Sequence, residues 1–222
     1  MAVSAAVAAA STGRHFIYIE SIARVTKLSL TGRLVQLMPR VERYVQHDEL
    51  KVRRFQFAGS AMDSFEVVPS KRPTPVRKLF VTVGTIQPYT FERLFSRVSE
   101  QFPHLSISWQ TGPVDGQRLS GRVRSSMSRT ELLGEMKDAD AVIAHAGVGS
   151  ILSALQVGKV PVVVPRRAEH QEHIDDHQTD IANLLDRQGL VVARDVDALD
   201  MASLRRAADH SVRIAYESGA AA

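Results

Sequence analysis

From residue 78 onward the chain repeats one unit: a short apolar run, a turn, and apolar residues at helical spacing. "KLFVTVG" is an apolar run closed by glycine, and Phe91, Leu94, Phe95 and Val98 follow at helical intervals. "LSISWQTG" is the next strand and turn. Ser128 and Glu131 stand at capping-box spacing ahead of a helix running to about Ala139. "DAVIAHAG" then reads as strand, "GSILSALQVG" as helix and "VPVVVP" as strand. "EHIDDHQTDIANLLDRQG" reads as a helix closed by Gly189, and "LVVA" as a last strand. Strands separated by single helices demand crossover connections, which are right-handed and give parallel pairing. The pattern predicts an α/β, Rossmann-like domain over residues 78–222, a parallel sheet with helices on both faces.

The first third is different. "MAVSAAVAAAST" is alanine-rich and lacks the basic start and strongly apolar core of a signal peptide, so residues 1–15 are expected to be a disordered tail. "FIYIES" has strand character, Leu30, Leu34, Leu37 and Met38 fall at helical spacing, and "VERYV" alternates like a strand. These predict a short α/β appendage over 16–68. "PSKRPTPVRK" holds three prolines without apolar periodicity, so a linker is expected at 69–77. Residues 1–78 carry 13 Lys and Arg against 6 Asp and Glu, net +7, whereas 79–222 carry 15 against 18, net −3. A basic segment suits an anionic partner, lipid headgroups or phosphates, or else is simply a solvated face. No nucleic-acid-binding motif accompanies it. With no cysteine in the chain, disulfide scaffolds, zinc–thiolate sites and thiol nucleophiles are excluded. No run approaches the ~20 apolar residues of a membrane-spanning helix.

Ligands of open parallel sheets bind beyond the carboxyl ends of the strands. Three turns fall there: "VGT" (83–85), "HAGVGS" (145–150) and "PRRAEHQEHIDDHQ" (165–178). Gly147 and Gly149 permit close backbone approach, and Ser150 brings a hydroxyl to a helix start, an arrangement that suits a diphosphate or merely a tight turn. It is neither a dinucleotide fingerprint nor a Walker loop. The third turn is dense in charge. His173 and His177 are four apart and would share a helix face, so a metal enters consideration; "HIDDH" matches the inverted zinc-protease motif H-x-x-E-H except that aspartate replaces its glutamate, and no third ligand is evident. A rim reading sugar hydroxyls accounts for Glu, Asp and Gln together, and a solvated helix start remains the alternative. No cofactor and no metal are expected.

"HAGVGSILSALQVGKVPVVVPRR" followed by "EHIDDHQTDIANLLDRQG", with "LFVTVGT" ahead of them, resembles the C-terminal, donor-binding domain of glycosyltransferase family 28 over about residues 78–195. That family includes the MurG transferase and the catalytic subunit of the dolichol-pathway UDP-GlcNAc transferase, and the likeness extends to its exopolysaccharide (PssE-like) counterpart. "YIESIARVTKLSLTGRL" and "RYVQHDEL" are similar to the C-terminal part of the partner, membrane-recruiting subunit, although His47 and Asp48 stand where that partner has Trp-Pro.

The resemblance implies half of a GT-B glycosyltransferase that inverts configuration. It would move a sugar such as GlcNAc or GlcA from a UDP-sugar to a lipid-diphosphate-linked acceptor. An acceptor-half or membrane-anchoring subunit is implied as partner, and a peripheral site on the cytoplasmic membrane face as location. Gly84, Thr85, Gly147, Gly149 and Ser150 would lie at the nucleotide diphosphate, and Asp176 and Gln178 would read the sugar, with Glu172 and His173 beside them. Where MurG-like members hold ribose with glutamate, this chain has Ser153, so Ser153 or Glu172 takes that role or ribose is held less tightly. His145 is the candidate catalytic base. The rivals are a UDP-sugar-binding or regulatory subunit without turnover and a UDP-sugar epimerase.

Overall fold

The computed structural model describes residues 2–50, 52–70, 75–85, 89–114, 116, 118–174 and 177–215. They form two compact units, divided between Asp63 and Ser64.

The first unit contains α1 (Ala2–Ser11), β1 (Phe16–Ile19), α2 (Leu30–Gln36), β2 (Val41–Val45) and β3 (Gln56–Phe57). The strands pair in the order β1-β2-β3, all parallel, with Phe16 opposite Val41 and Val45 opposite Phe57. The expected tail at 1–15 is instead helical over 2–11. Alanine is the best helix former, and its small side chain lets Ala6 bury against Tyr18, Val35 and Val41. Ser29 caps α2 by accepting from the Gly32 N–H. The buried Glu20 accepts from the Ser29 N–H and hydroxyl, the Tyr18 hydroxyl and the Ser21 N–H, so its charge is met by donors.

The second unit begins earlier than the prolines suggest. β4 (Phe65–Pro69) pairs antiparallel with β11 (His210–Ile214), so residues 65–69 belong to this unit rather than to the appendage or a linker. Of the proline-rich stretch, residues 71–74 lie outside the described residues. Between these strands run β5 (Lys78–Thr82), α3 (Glu92–Gln101), β6 (Ser106–Gln110), β7 (Arg122–Arg124), α4 (Arg129–Asp138), β8 (Ala141–His145), α5 (Val148–Gln156), β9 (Val162–Val164), α6 (His177–Arg187), β10 (Val192–Ala193) and α7 (Met201–Ala208). β5 to β10 form one parallel sheet in the order β10-β9-β8-β5-β6-β7. The chain leaves β5 towards β7, then returns to β5's other side with β8. Residues 82 and 145 therefore flank the point where strand order reverses, where open α/β sheets bind ligands.

Both faces of the sheet are covered, as parallel pairing requires. Phe80 and Val142 pack with Met136 of α4 and Ala154 of α5. On the opposite face Trp109 meets Phe95 of α3 edge-on, with ring centroids 5.7 Å apart. The predicted capping box is present: the Ser128 hydroxyl accepts from the Glu131 N–H while the Glu131 carboxylate accepts from the Ser128 N–H. α6 starts at His177, later than the periodicity of its apolar residues suggests; a 3-10 turn (Ala168–His170) precedes it, and Gln171 is left-handed at φ 56°.

Candidate functional site

Small residues build the floor of the crevice because a histidine occupies the space beneath them. His145 ends β8 and is buried. Its imidazole lies against two glycine turns. A Cβ at Gly147 would come 2.2 Å from Nε2, and one at Gly84 would come 2.9 Å from Cε1. Gly84 also has φ +71°, a conformation open to glycine. The next turn is equally tight: a Cβ at Gly112 would come 2.6 Å from the Gly84 carbonyl oxygen. Thr85 follows on the surface. Below it the Thr82 hydroxyl donates to Gln110 Oε1 at 2.5 Å, both side chains buried.

Burial is the main reason His145 is pushed down to about 3, with the Arg166 guanidinium acting in the same direction and His173 adding less; the Thr82 backbone opposes them. Nδ1 nevertheless meets no partner at hydrogen-bonding geometry among the described residues. The ring is neutral at physiological pH.

Gly149 lies two residues beyond Gly147 in entirely different surroundings. A Cβ there would meet nothing within 4 Å. α5 begins at Val148 with Gly147 as N-cap, and no side chain caps it. The first-turn N–H groups of Val148 and Gly149 have no acceptor in their own helix and carry the positive end of its dipole. Ser150 is half-buried beside them. This bare helix start, glycine-surfaced, is what an anionic oxygen needs for close approach. Ser153 does not extend it: its buried hydroxyl donates to the Gly149 carbonyl at 2.7 Å, within the same helix.

The segment after β9 spends much of its polarity on itself. Glu172 is buried and takes a two-pronged bond from Arg93 of α3, Nε–Oε1 3.0 Å and Nη2–Oε2 3.2 Å, and also accepts from the Arg167 N–H. Gln178, also buried, accepts from the Arg166 N–H at 3.1 Å through Oε1. Arg167 donates to Thr179 Oγ1 and pairs with Asp195 at 2.5 Å. Glu172 thus latches the loop to α3, and Gln178 uses its amide oxygen in the bond to the Arg166 N–H. His173 stands outside α6, so it and His177 do not share a helix face. Its half-buried ring stacks on Tyr89 at 5.8 Å and meets the His177 ring edge-on at 4.8 Å. Asp176 lies outside the described residues. Among the described residues no group of three His, Asp or Glu side chains is disposed to hold a metal.

Arg166 is the site residue that sequence reasoning passed over. It is 1% exposed, donates from Nη2 to the Val83 carbonyl at 2.8 Å, and sits 5.6 Å from the centroid of the Phe91 ring. Its Nε has no hydrogen-bond partner among the described residues. Burial lowers its pKa while Glu172 raises it. The available signal was a Pro-Arg pair directly after a wholly apolar strand: an arginine there is carried inward with the strand end.

Comparison with known proteins bears on the fold and the family. A UDP-N-acetylglucosamine transferase subunit ALG13 from Yarrowia lipolytica is 44% identical over 70 residues, 31% of this chain and 34% of that protein. A UDP-N-acetylglucosamine–N-acetylmuramyl-(pentapeptide) pyrophosphoryl-undecaprenol N-acetylglucosamine transferase from Chlorobaculum parvum is 28% identical over 114 residues, 47% of this chain and 30% of that protein. The chain thus matches about a third of the length of each of these relatives. Among solved structures, the MurG of Acinetobacter baumannii aligns with a TM-score of 0.60 at 15% identity, over 91% of this chain and 63% of that one. The calicheamicin glycosyltransferase CalG4 aligns at 0.53 and 16%, over 90% and 61%. The shared fold is that of GT-B glycosyltransferases. The glycosyltransferase family 28 C-terminal domain matches residues 78–207, more than half of the chain, and the chain belongs to that family.

Proposed function

We propose that the chain is the donor-binding part of an inverting glycosyltransferase that moves a sugar, GlcNAc or GlcA, from a UDP-sugar to a lipid-diphosphate-linked acceptor. The observation that carries this reading is the uncapped start of α5, with open space over Gly149, at the reversal of strand order. The relatives' names supply the donor class.

In such a transfer the acceptor hydroxyl attacks the anomeric carbon, the bond to the diphosphate oxygen breaks, and UDP departs with the new negative charge. The N–H groups of Val148 and Gly149 and the cation of Arg166 favour that charge. Gln178 Nε2 is left as a donor to the sugar, and the Tyr89–His173 stack offers a flat wall. His145 is proposed as a neutral spacer fixing both glycine turns instead of the catalytic base, because a buried imidazole held near 3 is a weak proton acceptor. The base then comes from the acceptor side, with a partner subunit, at the cytoplasmic face of the membrane.

The same feature of His145 favours a second reading, a UDP-sugar-binding subunit without turnover. Incubation with UDP-GlcNAc and a membrane extract separates the readings. Release of UDP with a glycosylated lipid supports transfer; binding without product supports the second reading. UDP-ManNAc would signify epimerisation and overturn both.

A further inference from the structure

The face of α2 that points away from the core is apolar. Gly32 and Val35 face inward and are buried. Leu30, Leu34 and Leu37, spaced to fall on one stripe, lie on the opposite side and are 75%, 44% and 75% exposed. A surface helix ordinarily turns polar residues outward, and an apolar outer stripe marks an interaction surface.

The rim says which kind. Lys27 precedes the helix, Arg33 lies within it and Arg40 follows it, all exposed. Arg53 and Arg54 join them at the helix end, where Gln36 donates to the Arg53 carbonyl and Arg54 donates to the Gln36 carbonyl. No acidic residue occurs between Glu20 and Glu42. Leucine on the outer side with exposed cations at its rim, the Glu20 carboxylate being buried beneath the helix, is the composition of an interfacial helix that seats its apolar stripe below anionic headgroups. We propose that α2 is a membrane-docking element, with Leu30, Leu34 and Leu37 entering the headgroup boundary of an anionic bilayer and Lys27, Arg33, Arg40, Arg53 and Arg54 pairing with lipid phosphates. This gives the peripheral location in the proposed function a specific surface, and rests on that reading only for its purpose.

The test is co-flotation of the full chain with phosphatidylcholine vesicles, with and without phosphatidylglycerol. The wild-type chain is expected to float only with the anionic vesicles and to leave them in high salt. The triple variant Leu30→Ser/Leu34→Ser/Leu37→Ser should bind at least about tenfold more weakly. Lys27→Gln/Arg33→Gln, which leaves the stripe intact, should lose a comparable factor at low salt. UDP titration should be unchanged in both variants, so a failure here is distinguishable from failure of the donor-site reading. Absence of wild-type binding, or equal binding by the leucine variant, overturns the proposal. So does a wild-type dimer in light scattering that the leucine variant abolishes without any vesicle binding, since the stripe would then join two copies.

Discussion

The turn after β8 and the segment after β9 face the same crevice and are built on opposite principles. The first is made of small residues, and its donors are left without acceptors at an open helix start. The second is crowded with charge, and much of that charge is already satisfied by Arg93, Arg167, Thr179 and Asp195. Polar density in a sequence is therefore not a measure of free hydrogen-bonding capacity, and a ligand gains most where the protein has left a bond unmade.

The comparison can be broken at several points. The largest expected effect is on the latch. Glu172→Ala strands the Arg93 fork and the Arg167 N–H, and should cost about 2–3 kcal/mol in denaturant unfolding, below the full value for a buried pair because Arg93 is a third exposed. Glu172 as a mere sugar contact would leave stability unchanged and lower only donor affinity.

Next are the two glycines. Gly147→Ala drives a methyl into a histidine held between two turns and should destabilise the fold by about 1–3 kcal/mol. At Gly149 a Cβ meets no atom within 4 Å beyond its own helix, so in Gly149→Val the melting temperature should change little while UDP affinity falls at least about tenfold, roughly 1.4 kcal/mol. Calorimetry showing unchanged UDP binding would remove the diphosphate from α5.

His145 adds a pH dependence. Its folded value near 3 lies below the unfolded 6.5, so the unfolded chain binds the extra proton between those values. Stability should be complete above pH 6.5 and decline as pH falls towards 3. Urea melts of the wild type and His145→Asn across that range should converge at acid pH. The smallest effect is expected at Gln178→Ala, a loss of about 1 kcal/mol from the Arg166 N–H bond, with UDP-sugar binding weakened more than UDP binding.

Much of the second unit was readable from sequence because its signals are local. A five-residue apolar strand, the Ser128–Glu131 box and the periodicity of Phe95 and Val98 each depend on neighbours a few positions away. What escaped depends on distant residues. "FEVVP" carries no mark of its partner at 210–214, so its membership of the second unit is invisible in the sequence. The alanine-rich stretch 2–11 lacks the polar alternation that announces a packed helix, and the burial of Ala6 requires Tyr18 and Val35. In the site, Gly84, Gly147 and Gly149 were visible as glycines, but the sequence could not say that His145 confines the first two and leaves the third open. Glu172 and Ser153 fit a ligand by type; the Arg93 fork and the Gly149 carbonyl that they bind are matters of tertiary placement.

The β4–β11 ladder has a consequence for how the chain is made. Phe65 waits for Ile214, about 150 residues later, before its main-chain bonds close. During synthesis the strand at 65–69 leaves the ribosome unpaired and stays so while the whole six-stranded parallel sheet is assembled, a template for strand addition by neighbouring chains. Completion of β11 pairs one side of that strand. Nascent chains halted before residue 210 should accordingly be the ones that co-aggregate, even with the central sheet fully formed.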